Sequence, residues 1–400
     1  MRFDPFSDAA IEDPYPQYHA LRAADPVHWS DKLKSWVLFR HDDVGAFFRD
    51  DERLSSDRSK ATKFRSTGSP RSAPQLRTVA IDPPEHGPVR ALLNATLAPR
   101  VRAVAPRVDE LVATLLERLG PAVERVAERA ELDGELDFIE RFAYPLPIDV
   151  ICELFDVPAR DRTQIRAWSH TVARGMDRFY SRDEAGRGLQ ELHGYFFRLV
   201  EERRGSGGDD LIHRLAAAEH RGDRFSELEV VVMCGTLVFA GHETTVNLLG
   251  NGLNALLRHP EQLERLRAAP EGIEVAVEEL LRFDSPAQLI SRTALADFAL
   301  RGKTIRTGDA VLGAIGAANR DRDAFADPDR LDLAREPNPH LAFGFGTHFC
   351  PGAQLTRIEA RAALPALLRR FPRRRAGGSP PVRRRTAVLR GLERLPVRVD

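Results

Sequence analysis

The segment Phe343-Gly344-Phe345-Gly346-Thr347-His348-Phe349-Cys350-Pro351-Gly352 decides how this 400-residue chain is read. Two glycines in three residues allow a tight backbone path that residues with side chains resist. Apolar residues at helical spacing follow, from Ala353 to Phe371. That spacing puts Cys350 at a helix N-terminus, where free N–H groups and the helix dipole favour a thiolate. Pro351 suits a first helical turn, where a missing N–H costs little. A bare glycine-turn cysteine reads equally well as a buried structural thiol. The fuller pattern of Phe343, Gly346, His348, Cys350 and Gly352 is much rarer and points to a metal ligand.

Working outward, helical spacing recurs over 104–119, 149–155, 189–200, 227–257, 260–266 and 273–283. Strand-like alternation is confined to 27–29 with 35–39, and to 291–305. The expectation is a mainly α chain with a minor β region. Glycine-, serine- and proline-rich breaks fall at 66–74, 205–210 and 377–381. The middle one reads as a surface loop, because the segments on both sides share the chemistry below. There is no internal repeat. The arginine run at 369–385 reads as solvated surface rather than a basic patch.

Fifty-nine basic residues balance fifty-nine acidic ones, so no electrostatic reason exists to expect nucleic acid as a partner. Three cysteines, Cys152, Cys234 and Cys350, cannot build an even disulfide framework; a reducing compartment is expected. The N-terminus lacks the regions of a signal peptide. No apolar run approaches the ~18–20 residues of a spanning helix. The expectation is a cytoplasmic protein with no membrane partner.

Ala240-Gly241-His242-Glu243-Thr244-Thr245 lies inside the longest helical stretch. A glycine and two threonines are poor helix-interior choices, and such a local break often marks function. Ala240 and Gly241 would let a flat or small molecule approach the backbone. Thr244 lies four residues on from Ala240, on the same face. An acid beside a hydroxyl, Glu243 with Thr244, can relay protons through water. A kinked core helix is the plainer reading of the same residues. His242 points to another face and reads as a core or water-linked histidine. Two further spacings stand out. His86 and Arg90 are i, i+4; Glu279 and Arg282 are i, i+3, a pair usually worth little on a surface.

Taken together, these segments resemble the cytochrome P-450 family, with motifs in the family's order along almost the whole chain. The resemblance implies the cytochrome P-450 fold: a triangular single domain over 1–400, with haem b between the long central helix and the cysteine-loop helix. It implies Cys350 as axial ligand, with Phe343, Gly344, His348 and Gly352 around it and Ala240 and Gly241 across the ring. Glu243 and Thr244 match the family's proton-delivering pair. His86, Arg90, Arg292 and His348 match its contacts to the haem propionates, which need cations or donors when buried. Gly87-Pro88 departs from the commoner bulky residues, so that helix is expected to start late or bend. Glu279, Arg282 and Arg335 match a buried structural triad supporting the cysteine loop. Pro351 replaces a residue with a free N–H; one donor fewer near the sulfur would make it more electron-releasing.

The function so implied is monooxygenation: insertion of one oxygen atom of O2 into a small organic substrate of secondary metabolism. Three cysteines cannot hold a four-thiolate cluster beside a haem, so electrons must come from outside. The resemblance implies NAD(P)H, a ferredoxin reductase and a ferredoxin docked near Arg357 and Arg361. Ring coupling, desaturation, nitration, peroxide-driven oxidation or a non-enzymatic haem sensor remain as alternatives. The resemblance draws the pocket from 55–81, 166–192, Thr236, Phe239 and Ala240, then 287–291 with Ala287, Leu289 and Ile290, and 389–392 with Leu389. The first of these is rich in charge, with Arg58, Lys60, Lys63, Arg65, Arg71 and Arg77. A monomer is the default.

Overall fold

The computed structural model describes residues 2–57, 60, 81–128, 135–175, 182–220, 222–372 and 375–398. Nine helices position the site: α1 (Tyr15–Ala24), α2 (His41–Arg49), α3 (His86–Glu128), α4 (Pro145–Leu154), α5 (Arg162–Arg174), α6 (Arg182–Arg203), α7 (Glu227–Arg258), α8 (Ile273–Phe283) and α9 (Ala353–Arg370).

Helix α7 is the axis of the molecule. Its start is doubly capped. Ser226 Oγ accepts from the Glu229 N–H, and the Glu229 carboxylate accepts from the Ser226 N–H at 2.7 Å. Its apolar residues lie on all sides, which suits a helix packed all round. Helices α4, α5, α6, α8 and α9 all pack against it. The largest core cluster forms here, with Phe142, Leu146, Phe196, Val231, Leu249, Leu280 and Leu364 fully or almost fully buried.

A smaller layer stands beside this helical mass. Strands β1 (Val27–Ser30), β2 (Ser35–Leu38), β3 (Leu54–Ser55), β4 (Leu289–Ala294) and β5 (Ala310–Ala314) form one sheet in the order β1-β2-β5-β4-β3. The β2–β5 pairing is parallel and the others are antiparallel. Both faces of this sheet are covered. Leu38, Phe47, Phe48 and Val311 fill one side; Phe3, Tyr18, Val37 and Leu289 fill the other.

The sequence expectation for a helical region near 104–119 proves to be part of a 43-residue helix that starts at His86. It does not start late. Pro88 sits in the first turn, where its missing N–H has no helical acceptor to lose. The strands expected near 27–39 and 291–305 are present, but β5 lies beyond them.

Candidate active site

The cysteine loop is folded back on itself. Gly344 and Gly346 both take positive φ, +70° and +73°. A short 3-10 turn covers Gly346–His348, and the Phe349 N–H donates to the Gly346 carbonyl at 3.1 Å. The Cys350 N–H donates to the Phe343 carbonyl at 3.0 Å. Gly346 is needed for two reasons. Its φ is left-handed, and a Cβ there would lie 2.8 Å from the Phe48 carbonyl oxygen. Backbone cannot swing aside as a side chain can. Gly346→Ala is therefore expected to cost about 1–2 kcal/mol for the conformation and roughly 1–3 kcal/mol for the overlap. A lowered denaturant midpoint together with a lowered cofactor-to-protein ratio checks this.

Cys350 stands just ahead of α9, half-buried as a residue but with its sulfur enclosed by protein. Burial raises its thiol pKa. The N–H groups of Gly352 and Ala353, with Arg90 and Arg357, act in the opposite direction without overcoming it. A bound cation is what would tip such a sulfur to thiolate. Phe343 packs edge-on to Phe349 at 6.2 Å between centroids, and the Arg357 guanidinium lies 4.5 Å over the Phe343 ring.

His86 and His348 meet ring to ring, 4.2 Å between centroids. The His86 ring is buried, yet neither ring nitrogen has a hydrogen-bond partner. Burial, then the charges of His348 and Arg90, pull its pKa down to about 4, so it is neutral near pH 7. A buried polar group in this state calls for a partner outside the chain. Arg90 lies one turn on along α3, its pKa lowered by burial. Arg292, on β4, is differently engaged. It donates to the carbonyls of Phe47 (3.0 Å) and Phe48 (3.3 Å) and to Asp51 (3.2 Å). Asp51 also receives the Thr347 hydroxyl. Thus Arg292 fastens the end of α2 to β4, and Asp51 links it on to Thr347 of the cysteine loop.

Mid-way along α7, Ala240 is exposed between buried turns of the same helix. Thr244, one turn on, is half-buried and donates to the Ala240 carbonyl at 3.2 Å. Gly241 faces α4, where a Cβ would lie 2.8 Å from Ile151 Cδ1. Glu243 is fully buried and heavily coordinated. Its Oε1 lies 3.2 Å from the Tyr144 hydroxyl, 3.2 Å from His242 Nε2 and 3.8 Å from His170 Nδ1. Its Oε2 accepts from Arg384. Burial pushes this carboxyl upward, but Arg384, His170 and His242 outweigh it and hold it well below the ordinary carboxylate range. His242 is completely buried, with Nδ1 2.9 Å from the Val238 carbonyl and 3.2 Å from Ser169 Oγ.

Glu279, Arg282 and Arg335 come together. Arg282 donates to both Glu279 oxygens, at 2.7 and 2.8 Å, and both side chains are 0% exposed. Arg335 Nε reaches the same oxygens at 3.2 and 3.1 Å. Arg282 also donates to the carbonyls of Asn319, Pro328 and Arg330. Asn319 Oδ1 in turn accepts from the Leu341 N–H at 2.7 Å, two residues before Phe343. On the same side of the protein, Arg357 makes two 2.7 Å bonds to Glu278, and Arg361 pairs with Glu274 at 2.9 Å.

Of the residues expected around a pocket, Phe239, Thr236 and Ala287 are half-buried, and Ile290 is exposed. Thr236 Oγ1 donates to the Val232 carbonyl. Ala287 bridges to Leu389. Leu289 turns to the opposite face of β4 from Ile290 and packs with Phe3 and Tyr18. Lys60 is bound to Asp82 at 2.7 Å; Arg58, Lys63, Arg65, Arg71 and Arg77 lie outside the described residues. Sequence reading missed Tyr144, His170 and Arg384 around Glu243, and Ser169 beside His242. They lie about 70 to 140 positions away and share no local motif.

The model of the family described as Cytochrome P450 matches residues 181–272 and 273–392. The chain belongs to the cytochrome P450 family. It is 38% identical to the vitamin D(3) 25-hydroxylase of Pseudonocardia autotrophica over 98% of this chain and 96% of that protein. It is 35% identical to the polyketide biosynthesis cytochrome P450 PksS of Bacillus subtilis strain 168 over 99% and 98%. The solved structure of that bacillaene polyketide synthase P450 superposes with a TM-score of 0.88 over 100% of both chains. This P450 is thus an oxygenase with a haem-thiolate cofactor, acting on a small molecule and O2 with a redox partner. The neutral, unpartnered His86 ring and the enclosed Cys350 sulfur fit that cofactor's carboxylate and metal. No described helix is long and apolar enough to cross a membrane.

Proposed function

We propose that this P450 binds haem b through Cys350 and inserts one oxygen atom of O2 into a mid-sized, mostly apolar secondary metabolite. Its electrons come from NAD(P)H through a ferredoxin reductase and a ferredoxin. The observation carrying the haem assignment is the pairing of a largely buried Cys350 sulfur with a buried His86 whose ring nitrogens have no hydrogen-bond partner among the described residues. The haem, when bound, supplies dioxygen activation and oxygen-atom transfer. His86, Arg90, Arg292 and His348 hold the propionates, and Asp51, bound by Arg292, ties the end of α2 to Thr347 of the cysteine loop. Phe343, Gly344 and Gly352 shape the backbone around the sulfur. Gly352 and Ala353 N–H groups remain as its donors, while Pro351 offers none. Ala240 leaves room over the ring, and Gly241 lets α4 approach α7. Thr244 presents its hydroxyl beside that space.

Glu243 serves as the proton-delivering acid. Its network of one arginine, two histidines and a tyrosine speaks for a reaction that consumes protons, and against peroxide-driven oxidation, which needs none from this pair. Thr236, Phe239, Ile290, Ala287 and Leu389 are the proposed substrate contacts. Support for a metabolite substrate comes from the relative named for polyketide biosynthesis. The chain is further proposed to act as one domain, a monomer, in the cytoplasm. Arg357 and Arg361 already carry acidic partners, so ferredoxin docking there would rest on shape as well as charge. Glu243→Gln is the test. Turnover should fall roughly 10²-fold, while substrate affinity, read from the spin-state shift, stays put. Unchanged turnover and coupling would remove Glu243 from the mechanism.

A further inference from the structure

Glu243 is sealed from solvent, so protons it delivers must be replaced through a neighbour. Among the described residues, four side chains surround its carboxylate: Arg384, Tyr144, His242 and His170. Three of them are unsuited to bringing protons in. A guanidinium does not release its proton in proteins. The Tyr144 phenol is itself buried, and its pKa is raised by burial and by the Glu243 charge. His242 is completely buried, and its Nδ1 lies within hydrogen-bond distance of the Val238 carbonyl. His242 therefore has no side open to solvent from which it could be reprotonated.

His170 differs from all three. It sits on α5, its side chain is 44% exposed, and its Nδ1 lies 3.8 Å from Glu243 Oε1. That nitrogen is buried and makes no hydrogen bond. The ring therefore has one side in solvent and one nitrogen turned toward the sealed carboxylate. Tyr144 braces it edge-on, 5.5 Å between ring centroids. Arg166, one turn back on α5, lies 4.5 Å over the same tyrosine. An imidazole is the side chain that exchanges protons near neutral pH.

We propose that His170 is the proton-uptake residue of this P450, passing solvent protons to Glu243. This rests on the reading of Glu243 as the proton-delivering acid. A solvent proton joins the exposed side of the ring, and the Nδ1 proton passes to Glu243 Oε1 through one bridging water or once the 3.8 Å gap closes to hydrogen-bond distance. A ring flip or solvent exchange restores the starting state. One proton enters and one is delivered; no electrons move. In this role His170 acts through Glu243 rather than on the substrate or cofactor directly.

The test compares His170→Asn, His170→Lys and Glu243→Gln. Lysine places a cation beside the carboxylate but exchanges protons poorly near neutral pH. Both His170 variants are expected to lower product formed per NAD(P)H by about 3–10-fold and to enlarge the solvent isotope effect, with the substrate spin-state titration unchanged. The first readout independent of turnover is nitrogen-15 histidine NMR of the ferrous carbon-monoxide complex. The resonance lost in His170→Asn should show hydrogen on Nδ1, and Glu243→Gln should move that hydrogen to Nε2. If Glu243→Gln uncouples the enzyme but both His170 variants match wild type, protons enter elsewhere and the uptake role is overturned. A His170→Lys variant that alone keeps full coupling would equally overturn it, leaving His170 a mere charge clamp. An unaltered tautomer in Glu243→Gln would show that the two side chains do not communicate. If Glu243→Gln itself behaves as wild type, the assignment of Glu243 fails, and with it this one.

Discussion

Cys350→Ala is expected to abolish the strongly red-shifted Soret band of the reduced carbon-monoxide complex and to reduce turnover below detection. The reason lies in the sulfur's surroundings. Burial alone pushes the Cys350 thiol toward its neutral form, and the nearby N–H groups and Arg90 only partly oppose this. Thiolate at this position therefore depends on a metal. Cys350 would hold the haem iron, and its thiolate would supply the electron donation that favours O–O cleavage. Alanine removes the ligand without filling its place. The loop itself should survive, because its backbone bonds from Cys350 N–H to Phe343 and from Phe349 N–H to Gly346 do not use the sulfur. Far-ultraviolet circular dichroism should match wild type. A red-shifted band that persists in the alanine variant would mean that another residue ligates the iron. The other two cysteines are poor substitutes. Both Cys152 and Cys234 are buried in the helical core, with their thiol pKa values raised by that burial.

Much of this arrangement was legible in the chain because it is local. The loop from Phe343 to Gly352 is contiguous, and the Glu279–Arg282 pair is one helical turn. Helix α8 appears in the sequence with the same bounds as in the structure, because its apolar stripe is sharply one-sided. Strand β5 was not legible. It lies inside the sheet with Gly313 packed against Phe47, and its Ala-Val-Leu-Gly-Ala composition is as compatible with helix as with strand. The start of α3 was misjudged for a related reason. Gly87 and Pro88 look like breakers, but their penalties are small in a first turn. Helix α2 was hidden by Asp42, Asp43 and Gly45, although its first-turn acids favour a helix N-terminus.

The proton network shows the limit of local reading most plainly. Glu243 and Thr244 form a recognisable pair, but the groups that set the charge state of Glu243 come from α4's approach, α5 and the C-terminal segment. Residues so far apart in sequence meet only because α4, α5 and α7 pack together. The same holds for Arg292. Its spacing gives no hint that Asp51 and two carbonyls of α2 would occupy it. Sequence marked the residues proposed to carry chemistry. Packing determined which of them share a charge.

Glu279→Ala is expected to destabilise the fold by about 3–5 kcal/mol, the cost of leaving a buried charge without its partner. Arg282 is fully enclosed and would keep its guanidinium among the Asn319, Pro328 and Arg330 carbonyls with no carboxylate to balance it. Arg335 and the Asp332 N–H lose the same acceptor. A denaturant titration measures the loss; a midpoint within error of wild type would show the triad to be idle. The double variant Glu279→Leu with Arg282→Met separates charge from architecture. Replacing both members of a buried pair by apolar groups is often neutral, so stability should recover part of the way. Cofactor retention should not recover with it. The Asn319 and Pro328 carbonyls and the Asp332 N–H lose these partners, while the Arg330 carbonyl keeps Arg335 at 3.1 Å, and the segment they belong to leads to Leu341, whose N–H is held by Asn319. Two residues later the cysteine loop begins. Recovered stability with a still-lowered haem content would identify the triad as the support of the Cys350 loop. Recovery of both would reduce it to an ion pair of ordinary structural value.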